Sequence, residues 1–128
     1  MRLLLDTHAF LWFILADPRL SVTALGLITD PLNHKHVSPA SCWEIAIKIR
    51  LGKFALTVPF EPFMSDQIAR NHFTILPITV KHAAVLTTLP LHHRDPFDRL
   101  LIAQTMVEAM RIVSIDSVLD AYGVTRLW

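Results

Sequence analysis

The chain has 128 residues, 52% hydrophobic and 18% charged, which suits one domain and excludes a disordered chain or a free coiled coil. A net charge of +1 excludes nucleic-acid binding driven by bulk charge, so any such contact needs a local basic patch. The single cysteine, Cys42, excludes an internal disulfide framework and a cysteine-rich zinc site, and fits an intracellular protein.

Residues 2–6, RLLLD, form a short apolar run that ends on an acid and precedes a helical pattern, the signature of a buried strand. A strongly apolar helix is predicted over 7–16, broken by Asp17-Pro18. Its apolar run over 9–16 is far too short to span a bilayer, and Asp6 interrupts the place where a signal peptide needs its apolar centre. A cytoplasmic protein without a membrane segment is therefore expected. Ser21 caps a second helix reaching about residue 29, which Asp30-Pro31 breaks. A short second strand is predicted over 36–38. Ser38-Pro39 then starts a third helix, with serine at the cap and proline in the first turn, and Gly52 ends it. A fourth helix over 62–71 leads to a third strand over 73–77, then to a helix over 79–88 closed by Pro90. Asp95-Pro96 repeats the cap-then-proline start for a helix reaching about residue 110. Residues 111–116 read as a fourth strand ending on an acid, followed by a short helix closed at Gly123 and a last strand over 124–128. Strands alternate with helices throughout, which predicts a single α/β domain with a parallel sheet covered on both faces.

In such sheets ligands sit beyond the carboxyl ends of the strands, and Asp6 and Asp116 are the last residues of two predicted strands. Capping alone accounts for Asp6 and Asp116 as well as function does. Asp95 has the position of a cap, and Asp98, in the first turn, has a favourable dipole there. Glu44 is different. It lies about six residues inside its helix, too deep to cap anything, among Trp43, Ile45, Ala46 and Ile47. A surface pair with Lys48, four residues on, is its ordinary explanation, worth a few tenths of a kcal/mol. The combination is sharper than any member. The predicted topology carries Asp6, Glu44, Asp98 and Asp116 to one sheet edge, where clustered carboxylates repel unless a cation stands between them. Oxygen-only ligation suits Mg²⁺ or Mn²⁺, and such an ion serves phosphodiester hydrolysis.

Other residue types signal less. His34, His36, His72 and His82 are scattered, and surface or loop roles are expected for them. His92-His93 beside Arg94 precedes the acidic helix, and a loop role outweighs a phosphate contact. Cys42 reads as a packed thiol. Trp12, Trp43 and Trp128 read as core or interface anchors rather than base-stacking platforms. Mean hydropathy of +0.43 fits a well-filled core or an apolar surface covered by a partner.

Four blocks, MRLLLDTHAFLW, SPASCWEIAIKIRLGK, LPLHHRDPFDRLLIAQ and IVSIDSVLDAYGV, together resemble the PIN-domain ribonucleases, and within them the VapC-type toxins of prokaryotic toxin–antitoxin pairs. The resemblance runs over nearly the whole chain in the family's order. It implies a three-layer α/β/α sandwich around a central parallel sheet, and an endoribonuclease dependent on Mg²⁺ or Mn²⁺. By position it makes Asp6, Glu44, Asp98 and Asp116 the family's four acids, with Asp95 as the cap. Asp6, Asp98 and Asp116 would hold the metal, and Glu44 would ligate it or position the attacking water. Ser114 keeps the hydroxyl of a threonine common in the family, and Thr7 and Ser114 are expected to hydrogen-bond the carboxylates. Lys48, Arg94 and Arg99 are candidates for phosphate contacts. The implied partners are an RNA substrate, a cognate protein antitoxin and a second copy in a homodimer. Two other classes compete. One is a PIN-like module that holds RNA or protein without cutting, which the complete acidic set argues against. The other is a receiver-type phosphoacceptor domain, which wants an acidic pair after the first strand and a lysine near the last strand's end; the chain has only Asp6, and RIVSID has no lysine.

Overall fold

In the computed structural model, which describes residues 1–128, the strands are β1 (Arg2–Leu5), β2 (His34–Val37), β3 (Thr74–Ile75), β4 (Arg111–Val113) and β5 (Arg126–Leu127). They form one sheet in the order β3-β2-β1-β4-β5, and every neighbouring pair is parallel. β1 is central. That explains an uninterrupted Leu3-Leu4-Leu5, all fully buried, where an alternating pattern would suit a sheet wet on one face.

The helices are α1 (Thr7–Ile14), α2 (Val22–Thr29), α3 (Pro39–Arg50), α4 (Phe60–Arg70), α5 (Val80–Leu86) and α6 (Pro96–Glu108), with a 3-10 helix over Ser117–Tyr122. Successive side chains of β1 serve opposite layers. Leu3 and Leu5 join Phe10 of α1, Ile28 of α2, Ile45 of α3 and Met64 of α4 in one core. Leu4 joins Leu101 and Ile102 of α6 and Leu119 of the 3-10 helix in the other. The expected α/β/α sandwich is therefore the observed one. No helix is long and apolar enough to cross a membrane.

Element types match the predicted ones, and boundaries shift. β2 starts at His34, because Arg2 pairs with it, and Ser38 lies past the strand as the cap of α3. α4 starts at Phe60, since Pro62 falls in a first turn where a missing N–H costs nothing. β4 stops at Val113, three residues before Asp116. The last short helix is a 3-10 turn rather than an α-helix.

Ser38 is fully buried, and its Oγ accepts from the Ala40 N–H at 3.1 Å. Ser38→Ala removes that acceptor and leaves the amide unpaired away from water. A loss of about 1–2 kcal/mol is expected in urea unfolding, the upper part of the range for a helix cap. An unchanged midpoint would show that the cap contributes nothing to stability.

Candidate active site

The strand order reverses at β1: β2 and β3 lie on one side and β4 on the other. Such a switch point opens a crevice beyond the carboxyl ends of the strands. Asp6 follows β1 directly, and its N–H donates to the Val113 carbonyl at 3.1 Å. The side chain is buried. Its Oδ1 caps α1 by accepting from the Ala9 N–H at 2.8 Å, so the capping role is real but takes one oxygen of two. Burial pushes the Asp6 carboxyl above the usual range, and the Glu44 charge adds to that rise. The Ser114 hydroxyl, the Ala9 amide and His8 oppose it.

Ser114, one residue past β4, has its hydroxyl near enough to Asp6 to oppose the rise of that carboxyl, and its Oγ accepts the Asp116 N–H at 3.0 Å. That bond goes to the Asp116 backbone, where a bond to the carboxylate was expected. Thr7 does not have the expected carboxylate bond. Its hydroxyl donates to Ser41 Oγ at 3.1 Å, which links α1 to α3 below the site.

Glu44 lies on α3 and is only 7% exposed. The pair with Lys48 exists, at 3.2 Å from Oε2, and Lys48 also reaches His8 Nε2 at 3.4 Å. Yet Oε1 is buried with no hydrogen-bond partner. A surface ion pair leaves no such orphan, so pairing with Lys48 does not account for this glutamate.

The start of α6 supplies the next acid. Asp95 is the cap, its Oδ1 accepting from the Phe97 and Asp98 amides at 2.8 and 3.1 Å. Asp98, one turn in, faces His93 and is pushed up to about 7. Burial is the largest cause, followed by the negative charges of Asp95 and Asp6, with a smaller contribution from Glu44; His93 opposes them. Asp116 caps the 3-10 helix through Oδ1, which accepts from the Val118 N–H at 3.0 Å. Its Oδ2 is 2.7 Å from His93 Nε2, which also lies 3.1 Å from Asp98 Oδ2. Ligand atoms of His93, Asp98 and Asp116 all lie within 4.8 Å of one another. Of the four sequence-predicted acids, Asp98 and Asp116 close around His93, while Asp6 and Glu44 lie near enough for their charges to act on Asp98. Sequence reasoning gave His93 a loop role, because nothing in the spacing HHRDPFD shows a side chain folding back onto the helix it precedes.

The basic candidates divide. Arg94 is exposed, and Lys48 flanks Glu44. Arg99 is committed to the loop before α6. Its guanidinium donates to the carbonyls of Leu89, Pro90 and His93 at 3.1, 2.8 and 3.3 Å. His82 also departs from its expected surface role. It is fully buried, completes the capping box of α5 and meets Glu108 Oε1 at 2.9 Å. Trp43 is no core residue. It is 62% exposed and packs edge-to-face on Phe97 at 5.1 Å, beside Glu44 and Asp98 in the chain. Cys42 is half-buried against the core, and burial pushes its thiol up, as a packed thiol requires. The largest surface cavity, about 440 Å³, lies at the far end of α6 around Met106 and Arg111, away from the acids.

The acidic donors fit a hard divalent cation. They are carboxylate oxygens, one of them orphaned in the interior, and burial with like charge holds a proton on Asp98 up to about neutral pH.

The PIN domain family matches residues 3–124. No curated protein matches the chain in sequence. Among solved structures, a chain of VapBC2 from Rickettsia felis bound to a DNA fragment from their promoter is similar at a TM-score of 0.72. Identity is 13%, with 99% of this chain and 98% of that one covered. A chain of FitAcB from Neisseria gonorrhoeae is similar at a TM-score of 0.67 and 15% identity, covering 98% and 96%. A chain of VapBC-1 from nontypeable Haemophilus influenzae is similar at 0.63 and 13%, covering 99% and 97%. With the sandwich and the acids at its switch point, the family match over nearly the whole length makes this chain a member of the PIN domain family.

Proposed function

We propose that the protein is an endoribonuclease dependent on Mg²⁺ or Mn²⁺ and acts in the cytoplasm as the toxin of a toxin–antitoxin pair. One observation carries the nuclease reading: at the switch point of a PIN-domain sheet, Asp98 and Asp116 lie together, and the charges of Asp6, just after β1, and of Glu44 on α3 act on Asp98. PIN domains are generally nucleases. The likeness to VapBC and FitAcB chains and the four sequence blocks support a cognate antitoxin as partner. The exposed Trp43 with Phe97 offers apolar surface for a second copy of the chain.

Asp6, Asp98 and Asp116 would hold the ion. When bound, it supplies Lewis-acid polarisation of the scissile phosphate and a more acidic water. Ser114, whose Oγ accepts the Asp116 N–H, would hold the turn that carries Asp116 beside Asp6. Glu44 Oε1, without a partner inside the fold, is free to accept a hydrogen bond from the attacking water or to join the ligands, while Lys48 holds Oε2. Lys48 and Arg94 would contact backbone phosphates, and Arg99 fixes the loop that carries Arg94.

Purified protein incubated with total RNA should cut it in Mg²⁺ or Mn²⁺ and stop in excess chelator. Equal cutting in both conditions would overturn the metal reading. Binding of RNA with no cutting in either metal would favour a non-catalytic module. Co-expression with the product of the adjacent gene should give a complex that copurifies. A chain that remains alone would count against the toxin role but not against the nuclease.

A further inference from the structure

His93 is fixed from three sides. Its backbone N–H donates to Tyr122 Oη at 2.8 Å, and the Tyr122 hydroxyl donates to the Pro90 carbonyl at 2.8 Å. Arg99 binds the carbonyls of Leu89, Pro90 and His93 itself. The ring is then aimed by its own helix start, because the Asp95 N–H donates to His93 Nδ1 at 3.1 Å. A nitrogen that accepts a hydrogen bond carries no proton, so the proton is on Nε2. That nitrogen lies 2.7 Å from Asp116 Oδ2 and 3.1 Å from Asp98 Oδ2.

The tautomer decides what the imidazole can do. A metal-ligating histidine offers a lone pair to the ion and donates its other N–H to a carbonyl or carboxylate. Here the far nitrogen faces a backbone donor instead, and the nitrogen facing the acids presents a hydrogen. The trio of His93, Asp98 and Asp116 therefore has the spacing of a metal site with the wrong polarity at one corner. Asp116 Oδ1 is already used at the 3-10 cap, so Oδ2 is its site-facing oxygen, the one His93 occupies.

We propose that His93 is a positioning residue: its Nε2–H stands between Asp98 and Asp116, donates to both, and holds them in register until a divalent cation takes its place. The proposal rests on the metal-dependent reading above. His93 is not a ligand in this account, and the ion competes with its N–H for the same two oxygens.

The test uses the whole chain, with wild type, His93→Ala and His93→Gln. Nitrogen-15 ring resonances of the metal-free wild type should show the Nε2–H tautomer; an Nδ1–H tautomer overturns the proposal. Mn²⁺ titration, followed by the electron paramagnetic resonance of the free aquo ion, should show His93→Ala binding about tenfold more tightly. No charge-assisted hydrogen bond then has to break. His93→Gln retains an amide donor and should stay within about twofold of wild type. Unchanged or weaker binding by His93→Ala, or nitrogen coupling from the imidazole to bound Mn²⁺, overturns the proposal while leaving the metal reading intact. A wild type that binds no Mn²⁺ overturns both.

Discussion

Asp98→Asn is expected to melt several degrees above wild type in chelator at pH 8 while losing RNA cleavage by about 100-fold or more. The two effects have one cause. The Asp98 carboxyl is largely buried, and the charges of Asp95, Asp6 and Glu44 all disfavour its ionised form. At pH 8 the folded protein must hold that charge without a cation, and the amide removes it with little change in shape. A relief of about 1–2 kcal/mol corresponds to roughly 3–8 °C for a domain of this size. Mg²⁺ should raise the melting temperature of wild type, since an ion bound only by the folded state stabilises by mass action, and should raise that of Asp98→Asn less. Asp95→Asn is the control. Asparagine caps a helix about as well as aspartate, so α6 keeps its start. Asp95 donates no ligand in this account, and its variant should retain cleavage and the Mg²⁺ response. If all three proteins respond equally to Mg²⁺ and all retain cleavage, the acids are independent caps with no shared site.

The sheet was legible because central parallel strands bury both faces. Leu3-Leu4-Leu5 has no other economical reading in a chain of alternating elements, and cap-then-proline pairs at Ser38-Pro39 and Asp95-Pro96 mark two helix starts without ambiguity. Ends of strands were less legible. Val113 closes β4, but Ser114 remains tied to Leu127 through its N–H at 3.1 Å, so the apolar run outlasts the strand. Among the candidate site residues, Glu44 was the most telling, because it lies too deep in α3 to be a cap. The roles of the hydroxyls were not legible. Thr7 and Ser114 both neighbour an acid at a strand end, and only the packing of α1 on α3 turns Thr7 toward Ser41. Arg99 and His93 were misread for a related reason. A guanidinium that reaches back to three loop carbonyls, and a ring aimed by an amide two residues ahead, are properties of a folded loop rather than of its residue types.

Without metal, wild type is expected to lose stability relative to Asp98→Asn as pH rises from 5 to 8, and Mg²⁺ is expected to reverse that trend. The ordinary aspartate value of 3.8 applies to the unfolded chain, and the folded value is about 7. A raised folded value means that the folded state keeps a proton the unfolded state releases. Its contribution is full below about pH 4 and is lost as pH rises through about 7. At about 1.4 kcal/mol for each tenfold change in proton affinity, the whole interval represents about 4 kcal/mol as an upper figure, since a quarter of the side chain meets water. Asp6 moves in the same direction. Asp17 and Asp120 move oppositely, but they are exposed, and both lose their ion pairs only below the ordinary aspartate range, outside this window. Asp98→Asn removes the one carboxyl, so the difference between wild type and variant reports that charge together with its coupling to Asp95 and Asp6. A divalent cation binds the ionised form, so its stabilising effect should grow with pH, with proton release on binding most evident below about pH 7. Thermal unfolding of both proteins from pH 5 to 8, with chelator and with Mg²⁺, reads the whole scheme. Parallel curves for wild type and Asp98→Asn in chelator would show that Asp98 bears no buried, crowded charge. A Mg²⁺ effect on wild type independent of pH would show that the ion does not compete with the proton at this carboxyl.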